Sequence, residues 1–216
     1  MSIDHIVWLI SDLDEGMALF KEKTGVEPTF GGYHTTQGTK NALIKIGTKS
    51  YFEILAPDPD SHIDAKRWMG IDLIKEPLIT RWAFGTDRIQ HHADILKRYN
   101  KNLGEITAGQ RRTSSDEIIK WQMTLPYHEP LIDLAPFFID WSESPIHPTD
   151  QLPEVNLSID QIELSSEKPD LMHDLLNQLG ITNYHVAQGP ERISISLNSP
   201  KAVSYTHLTL PTNREV

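Results

Sequence analysis

The strongest constraint on how this 216-residue chain can fold is an order of elements that recurs along it. Residues 3–10 form a β-branched, apolar run of the kind a buried strand requires. Ser11 and Asp12 are placed to cap a helix, with Asp14 and Glu15 in its first turn, where the helix dipole favours acids. Leu13, Met17 and Phe20 give that helix an apolar stripe, and Gly25 is placed to end it. Strands follow near 28–33, 41–46 and 51–56, with a turn at 47–50 between the last two. Residues 1–59 therefore read as a βαβββ unit.

Residues 79–141 repeat the order: a strand over 79–85, a helix striped by Ile89, Ala93, Leu96 and Tyr99, then strands near 104–110, 118–125 and 136–140. Taking Asp87 as this helix's cap and aligning it with Asp12 places Thr80 opposite His5. A third, partial βαββ copy spans 157–202. Its Ser158-Ile-Asp-Gln-Ile162 matches Ser2-Ile-Asp-His-Ile6 at four of five positions, which puts Gln161 in the place of His5. The proline-rich stretch 145–153 reads as a linker. Residues 203–216 resemble translated sequencing-adapter sequence, so they are set apart as a non-native tail and His207 is not counted among candidate ligands. A chain of this length makes one large domain or two halves sharing a sheet, and the α+β class follows from the element order.

Composition removes several function classes. A net charge of −10 argues against nucleic acid or an anionic membrane as partner, since both call for a basic patch and only short pieces such as Arg111-Arg112 occur. Without cysteine there is no thiolate catalysis, disulfide or Cys-based zinc site. No basic leader or long apolar run stands at the N-terminus, so a cytoplasmic location is expected. Glycine-rich nucleotide loops, His-Glu-x-x-His and Gly-x-Ser-x-Gly are absent.

Strand parity singles out two residues. In an alternating strand Ile3, His5, Val7 and Leu9 share one face and Ile6, Trp8 and Ile10 the other. The second set is uniformly large and apolar and belongs under the helix, so His5 points to the opposite, concave side. Tyr51, Glu53 and Leu55 likewise share a face, and Glu53 stands in mid-strand among apolar residues, where an unpaired carboxylate is costly. A metal ion, a histidine or an arginine would each stabilise it. A core histidine and a buried ion pair explain the two residues separately; a mixed nitrogen and oxygen site for Fe, Mn, Ni or Zn explains them together.

Several short motifs, in order, carry a resemblance: Asp4-His-Ile-Val7, Gly31-Gly-Tyr-His34, Gly38-Thr-Lys-Asn-Ala-Leu43, Tyr51-Phe-Glu-Ile-Leu-Ala-Pro-Asp-Pro59, and Phe137-Phe-Ile-Asp-Trp141 followed by His147-Pro148. The chain resembles the glyoxalase-like domain family of the vicinal oxygen chelate superfamily over residues 1–200. The resemblance implies repeated βαβββ units forming a cupped mixed sheet with helices outside. It also implies a divalent metal held in the cup by His5 on the first strand and Glu53 on the fourth. The departures are equally specific. Thr80 stands where His5 has its counterpart, Ile139 or Asp140 lies opposite Glu53, Gln161 offers only an amide oxygen, and the third copy's fourth strand falls at the tail.

Other polar residues have two readings each. His34, in a glycine-rich segment, either completes a metal site or binds a substrate oxygen, and a turn histidine looks the same in sequence. Asn41 suits a substrate contact or turn duty. His147 reads as structural, and His91-His92 diverges by about 100° on a helix and is assigned to the surface. Trp82, Trp121 and Trp141 read as core.

The function expected from the resemblance is a metal-dependent enzyme acting on a small oxygenated substrate, as an isomerase, lyase or dioxygenase, with Glu53 as its catalytic carboxylate. The alternatives are a metal-free protein of the same fold that binds or sequesters small molecules, and a protein in which His5 and Glu53 merely bond each other. A homodimer is compatible with βαβββ pairing between chains.

Overall fold

A computed structural model describes residues 2–112, 118–182 and 184–201, the side chains of 111 and 112 excepted; the tail at 203–216 lies outside the described residues. The apolar runs become β1 (Ile3–Leu9), β2 (Thr29–His34), β3 (Thr39–Gly47) and β4 (Ser50–Pro57), with helix α1 (Leu13–Thr24) after β1. The second set is β5 (Leu78–Gly85), α2 (Ile89–Tyr99), β6 (Ile106–Arg112), β7 (Ile118–Thr124) and β8 (Phe137–Asp140). The last set is β9 (Ser158–Ser166), α3 (Pro169–Gln178), β10 (Val186–Gln188) and β11 (Arg192–Asn198).

β1 to β8 form one mixed sheet in the order β2-β3-β4-β1-β5-β8-β7-β6. β1 and β5 pair antiparallel at the centre, and each has the last strand of its own unit, β4 or β8, as a parallel neighbour. The two halves thus mirror each other about the β1–β5 seam. The sheet curls until its edges, β2 and β6, touch, giving a half-barrel.

Alternation decides what each face of this half-barrel buries. Ile6, Trp8 and Ile10 join Phe20 of α1, Phe52 and Ile54 of β4, and Trp82 and Phe84 of β5 in the core beneath the helices. The concave face carries Val7, Leu9, Leu55, Ala83, Trp121, Phe137 and Ile139. Onto it folds the connector between β4 and β5, whose 3-10 turn Trp68–Leu73 presses Trp68, Met69 and Ile71 into the cup.

The third set makes a separate sheet, β10-β9-β11, packed on the helix-side core through Leu164, Met172, Leu175, Ile193 and Ile195. Its element order matches the sequence reading, but its pairing does not match the other units. The strand directly after the helix, β10, lies parallel to β9, whereas β2 goes to the far edge of its unit. The stretch 145–153 is more than a spacer: Thr149 donates to Thr48 O at 2.9 Å, and Lys49 bonds Asp150 at 2.8 Å.

Two local expectations are corrected. Asp12 caps α1 by accepting from Glu15 N, but Asp87 does not cap α2; the N-terminal boundary is Arg88, and it is Thr86 Oγ1 that accepts the Arg88 N–H. The buried face of α2 is Ile89, His92, Ala93, Ile95 and Leu96, so His92 lies inside and stacks on Phe138 with centroids 4.1 Å apart, while His91 stays outside. No helix among the described residues is long and apolar enough to cross a membrane.

Candidate functional site

The site begins with an irregularity in β1. Against β5, the register slips between Ile3 and His5, a β-bulge centred on Asp4. Alternation fails there: Ile3 packs with the helix-side core instead of sharing the His5 face, and Asp4 can reach its own neighbour. Asp4 Oδ1 lies 2.6 Å from His5 Nδ1, and both residues are 3% exposed. The His5 ring is sandwiched, stacked on Tyr51 at 4.7 Å and 12° and met by the edge of Phe137 at 5.1 Å.

With Nδ1 engaged, the other nitrogen faces Glu53: His5 Nε2 to Glu53 Oε2 is 3.8 Å. Glu53 reaches that position because Val7 pairs with it across β1 and β4, one step along the face from His5 and Tyr51. Its second oxygen is committed, since Asn41 Nδ2 donates to Glu53 Oε1 at 2.5 Å. Asn41 is buried on β3, its Nδ2 lies 3.5 Å from His34 Nε2, and its Oδ1 has no hydrogen-bond partner. Gly31 makes room for that oxygen: a Cβ at 31 would sit 2.3 Å from it. His34 in turn meets Thr39 Oγ1 at 3.0 Å and the edge of Trp68 at 5.2 Å, and Trp68 donates to the same hydroxyl at 3.3 Å. His5, Glu53, Asn41 and His34 are therefore one polar row across β1, β4, β3 and β2.

The row continues behind Asp4. Trp141 Nε1 donates to Asp4 Oδ2 at 2.9 Å, and His147 Nε2 lies 3.1 Å from the same oxygen. Burial raises the Asp4 carboxyl, but the hydrogen bonds from His147 and His5 outweigh it, so its pKa lies below the ordinary carboxylate value. Trp141 and His147 thus hold a buried carboxylate instead of only filling core. Sequence reasoning missed Asp4, because a bulge cannot be read from alternation. The signal present was an acid directly beside a histidine inside a strand.

The opposite half is built differently. His5 lies eight residues before the first residue of α1, and the residue eight before the start of α2 is Arg81, not Thr80. In the sheet, Val7 pairs with Glu53 and Ala83 pairs with Phe137, which makes Phe137 the counterpart of Glu53 in place of Ile139 or Asp140. Arg81 is 2% exposed, and its guanidinium donates to four backbone carbonyls, those of Thr80, Leu131, Tyr127 and Pro130, at 2.7–3.1 Å. Burial pushes this guanidinium down to about 10, against the opposing pull of Asp133. Thr80 turns its hydroxyl to Met69 O. A cation committed to backbone and an apolar ring offer no metal ligand, so the polar row has no counterpart in the second half.

Among the described residues no three His, Asp or Glu side chains converge as a metal cluster. Gln161 is exposed on β9 in the second sheet, bonded to Glu163, and is not brought to His5 and Glu53. The pair nevertheless suits one cation. Two metal–ligand bonds of about 2.1 Å span at most about 4.2 Å, and the 3.8 Å gap lies inside that reach yet beyond a hydrogen bond. A cavity of about 600 Å³ opens where β2 and β6 approach, bounded by His34, Trp68, Thr107, Gln110, Trp121 and Met123. His34 belongs both to its wall and to the polar row.

Comparison with known proteins fits this architecture. The glyoxalase-like domain family model matches residues 3–180, both halves of the large sheet and the start of the third set. A crystal structure of a hypothetical protein from Staphylococcus aureus is similar at a TM-score of 0.68 and 20% identity, over 94% of this chain and 92% of that one. Methylmalonyl-CoA epimerase from Streptomyces coelicolor, a variant solved with 2-nitronate-propionyl-CoA, reaches a TM-score of 0.43 at 19% identity, over 67% of this chain and 96% of its own. The epimerase from Mycobacterium tuberculosis gives 0.42 at 16%, over 64% and 85%. No curated protein matches by sequence. The motifs, the mirrored half-barrel and the match over most of its length place this chain in the glyoxalase-like domain family of the vicinal oxygen chelate superfamily.

Proposed function

We propose that the chain is a divalent-metal-dependent enzyme acting on a small substrate with two neighbouring oxygens, and that His5 Nε2 and Glu53 Oε2 are the protein's ligands. One observation carries this reading. Each of the two groups has its far atom occupied, by Asp4 on Nδ1 and by Asn41 on Oε1, while the near atoms face each other across 3.8 Å without bonding. That arrangement presents one nitrogen and one oxygen lone pair to a common point. A bound divalent ion would supply Lewis-acid stabilisation to substrate oxygens as they gain charge. Two protein ligands leave several positions for the substrate, as chelation of adjacent oxygens requires.

The chain's own groups supply the rest. Glu53 is the carboxylate on the Nε2 side of His5, and an Oε2 not engaged by the ion would accept a proton from a carbon next to the held oxygens. Asn41 fixes which Glu53 oxygen does so. His34, between the row and the cavity, is positioned to hold a substrate oxygen. Trp68, Met69 and Ile71 keep water from the concave face, and exclusion of water strengthens each polar contact made there.

The test is metal titration of the purified chain, stripped by chelator, with Mn²⁺, Ni²⁺ and Zn²⁺. One equivalent of at least one ion should bind to the wild type, and His5→Ala or Glu53→Gln should reduce that affinity 100-fold or more, on the order of 3 kcal/mol. Binding that is unchanged by either substitution overturns the reading. A second reading has its own support. The replacement of a full second half-site by Arg81 and Phe137 favours a metal-free binding protein of the same fold. Under that reading no ion binds in a 1:1 ratio.

A further inference from the structure

We infer that Asp4, clamped by Trp141 and His147, is a positioning residue that fixes the tautomer of His5 and thereby aims the Nε2 lone pair at Glu53. The inference rests on His5 being the functional histidine of the proposed site, but the contacts that carry it lie on the side away from Glu53.

The hydrogen bonds settle the proton positions in sequence. His147 Nδ1 is engaged by Thr149, 2.8 Å from its Oγ1 and 3.2 Å from its backbone N, while Nε2 faces Asp4, which as a carboxylate can only accept. The proton of His147 is therefore on Nε2, which donates to Asp4 Oδ2 at 3.1 Å. Trp141 Nε1–H, which can only donate, reaches the same oxygen at 2.9 Å. Two donors from the segment after β8 thus saturate Oδ2. Oδ1 is left for His5, 2.6 Å from Nδ1. A carboxylate only accepts, so Nδ1 of His5 bears a proton, and in the neutral ring Nε2 is bare. Imidazoles that bind metal are commonly held in this way, through the nitrogen that does not touch the ion. The bulge at Asp4 is what allows adjacent residues to make the contact, and the stacking of His5 on Tyr51 keeps the ring in plane. Residues 141–149, remote in sequence from β1, are by this account the outer support of the site.

The logic makes a sharp forecast for Asp4→Asn. Trp141 and His147 both donate, so they hold the amide oxygen on their side and turn the NH₂ toward His5 Nδ1. That nitrogen must then accept, and the His5 proton moves to Nε2, where it faces Glu53. The experiment uses ¹⁵N-histidine NMR on the metal-free full chain at about pH 8, above the ordinary histidine range, together with Zn²⁺ and Ni²⁺ titration. The wild type should show His5 as the Nδ1–H form, and Asp4→Asn should convert it to the Nε2–H form and weaken metal binding 10- to 100-fold. His147→Ala should weaken binding by a smaller factor, and His147→Gln, which restores an N–H donor, should recover most of it. An Nε2–H form of His5 in the wild type overturns the inference, and so does an unchanged tautomer in Asp4→Asn. The expected tautomers in a wild type that binds neither ion uphold the positioning role of Asp4 and overturn the metal reading instead.

Discussion

Across the β1–β5 seam the molecule carries two halves of one plan with opposite contents. In the first half, the strand before the helix offers His5, whose far nitrogen is held by a carboxylate, and the parallel strand beside it offers Glu53. In the second half, the equivalent places hold Arg81, spent on the Thr80 carbonyl and three carbonyls of the β7–β8 connection, and Phe137, in T-shaped contact with His5. The helices differ as well. The fourth residue of α1 is Gly16, where a Cβ would meet Ile10 Cγ2 at 2.9 Å, and the fourth of α2 is His92, stacked flat on Phe138. One half carries a row of hydrogen-bonding groups on the concave face, and the other holds a structural clamp at the equivalent position. A shared backbone plan therefore says where a site can be built, and the identity of one residue per half says whether it was.

Substituting the two counterparts should separate these roles most strongly. Arg81→Met removes the donor to four buried carbonyls and leaves Asp133 without its neighbouring cation. Loss of about 3–5 kcal/mol is expected, as for other broken buried charges, measured as a large fall in the urea midpoint. Metal affinity of the folded fraction should not change. His5→Ala should do the reverse, with metal affinity down 100-fold or more and stability down by only about 1–3 kcal/mol, the consequence of a cavity and one lost hydrogen bond. If Arg81→Met abolishes metal binding while the chain stays folded, the division into a functional and a structural half is wrong.

A smaller effect tests the inner edge of the row. Gly31→Ala places a Cβ where Asn41 Oδ1 now sits. Either Asn41 moves off Glu53 or β2 moves outward, and overpacking of this kind costs about 1–3 kcal/mol. Because the Asn41 bond fixes Glu53, metal affinity should fall about tenfold as well. A variant that loses stability at full affinity would show that Asn41 does not orient Glu53.

How much of this could be read in advance follows from the physics of each signal. His5 and Glu53 stood out because alternation from His5 onward in β1 and along β4 assigns a face, and because a carboxylate amid apolar residues needs a partner. Arg81 carries the same signal, one cation inside the apolar strand Leu78–Gly85, but an alignment on Asp87 passed over it by one residue. α2 begins after Arg88 without a side-chain cap, and the nearby hydroxyl of Thr86, three residues ahead of Ile89, bonds the Arg88 N–H instead, so no capping residue marks the start. Asp4, Trp141 and His147 meet across more than 130 residues of sequence and at a bulge. Local patterning has no access to either. His92, three residues after Ile89 and directly before Ala93, lies on the apolar stripe itself, and its burial follows from that spacing, whereas His91 falls off it. The connector 57–78 held no periodicity to announce that Trp68 and Met69 would fill the cup.

The smallest effect expected of the comparison concerns the helices. Burial, with His91 and Arg88 adding to it, holds the pKa of His92 below the ordinary histidine value, whereas Gly16 at the same place in α1 cannot titrate. A base with a depressed folded pKa is neutral in the native state at a pH where the unfolded chain already binds the proton. Its contribution to stability is complete above the unfolded value of about 6.5 and declines as pH falls from there through the folded pKa. His92→Phe keeps a ring on Phe138 and removes the proton site, at the loss of the 3.0 Å contact with Thr86 Oγ1. Urea midpoints measured between pH 7.5 and pH 5.5 should therefore fall more steeply for the wild type than for His92→Phe. The raised Asp133 and lowered Asp4 act in both proteins and cancel in that difference. Equal slopes would mean that α2 opens enough to let His92 charge in place, and that the two helices are not fixed to the sheet with the same rigidity.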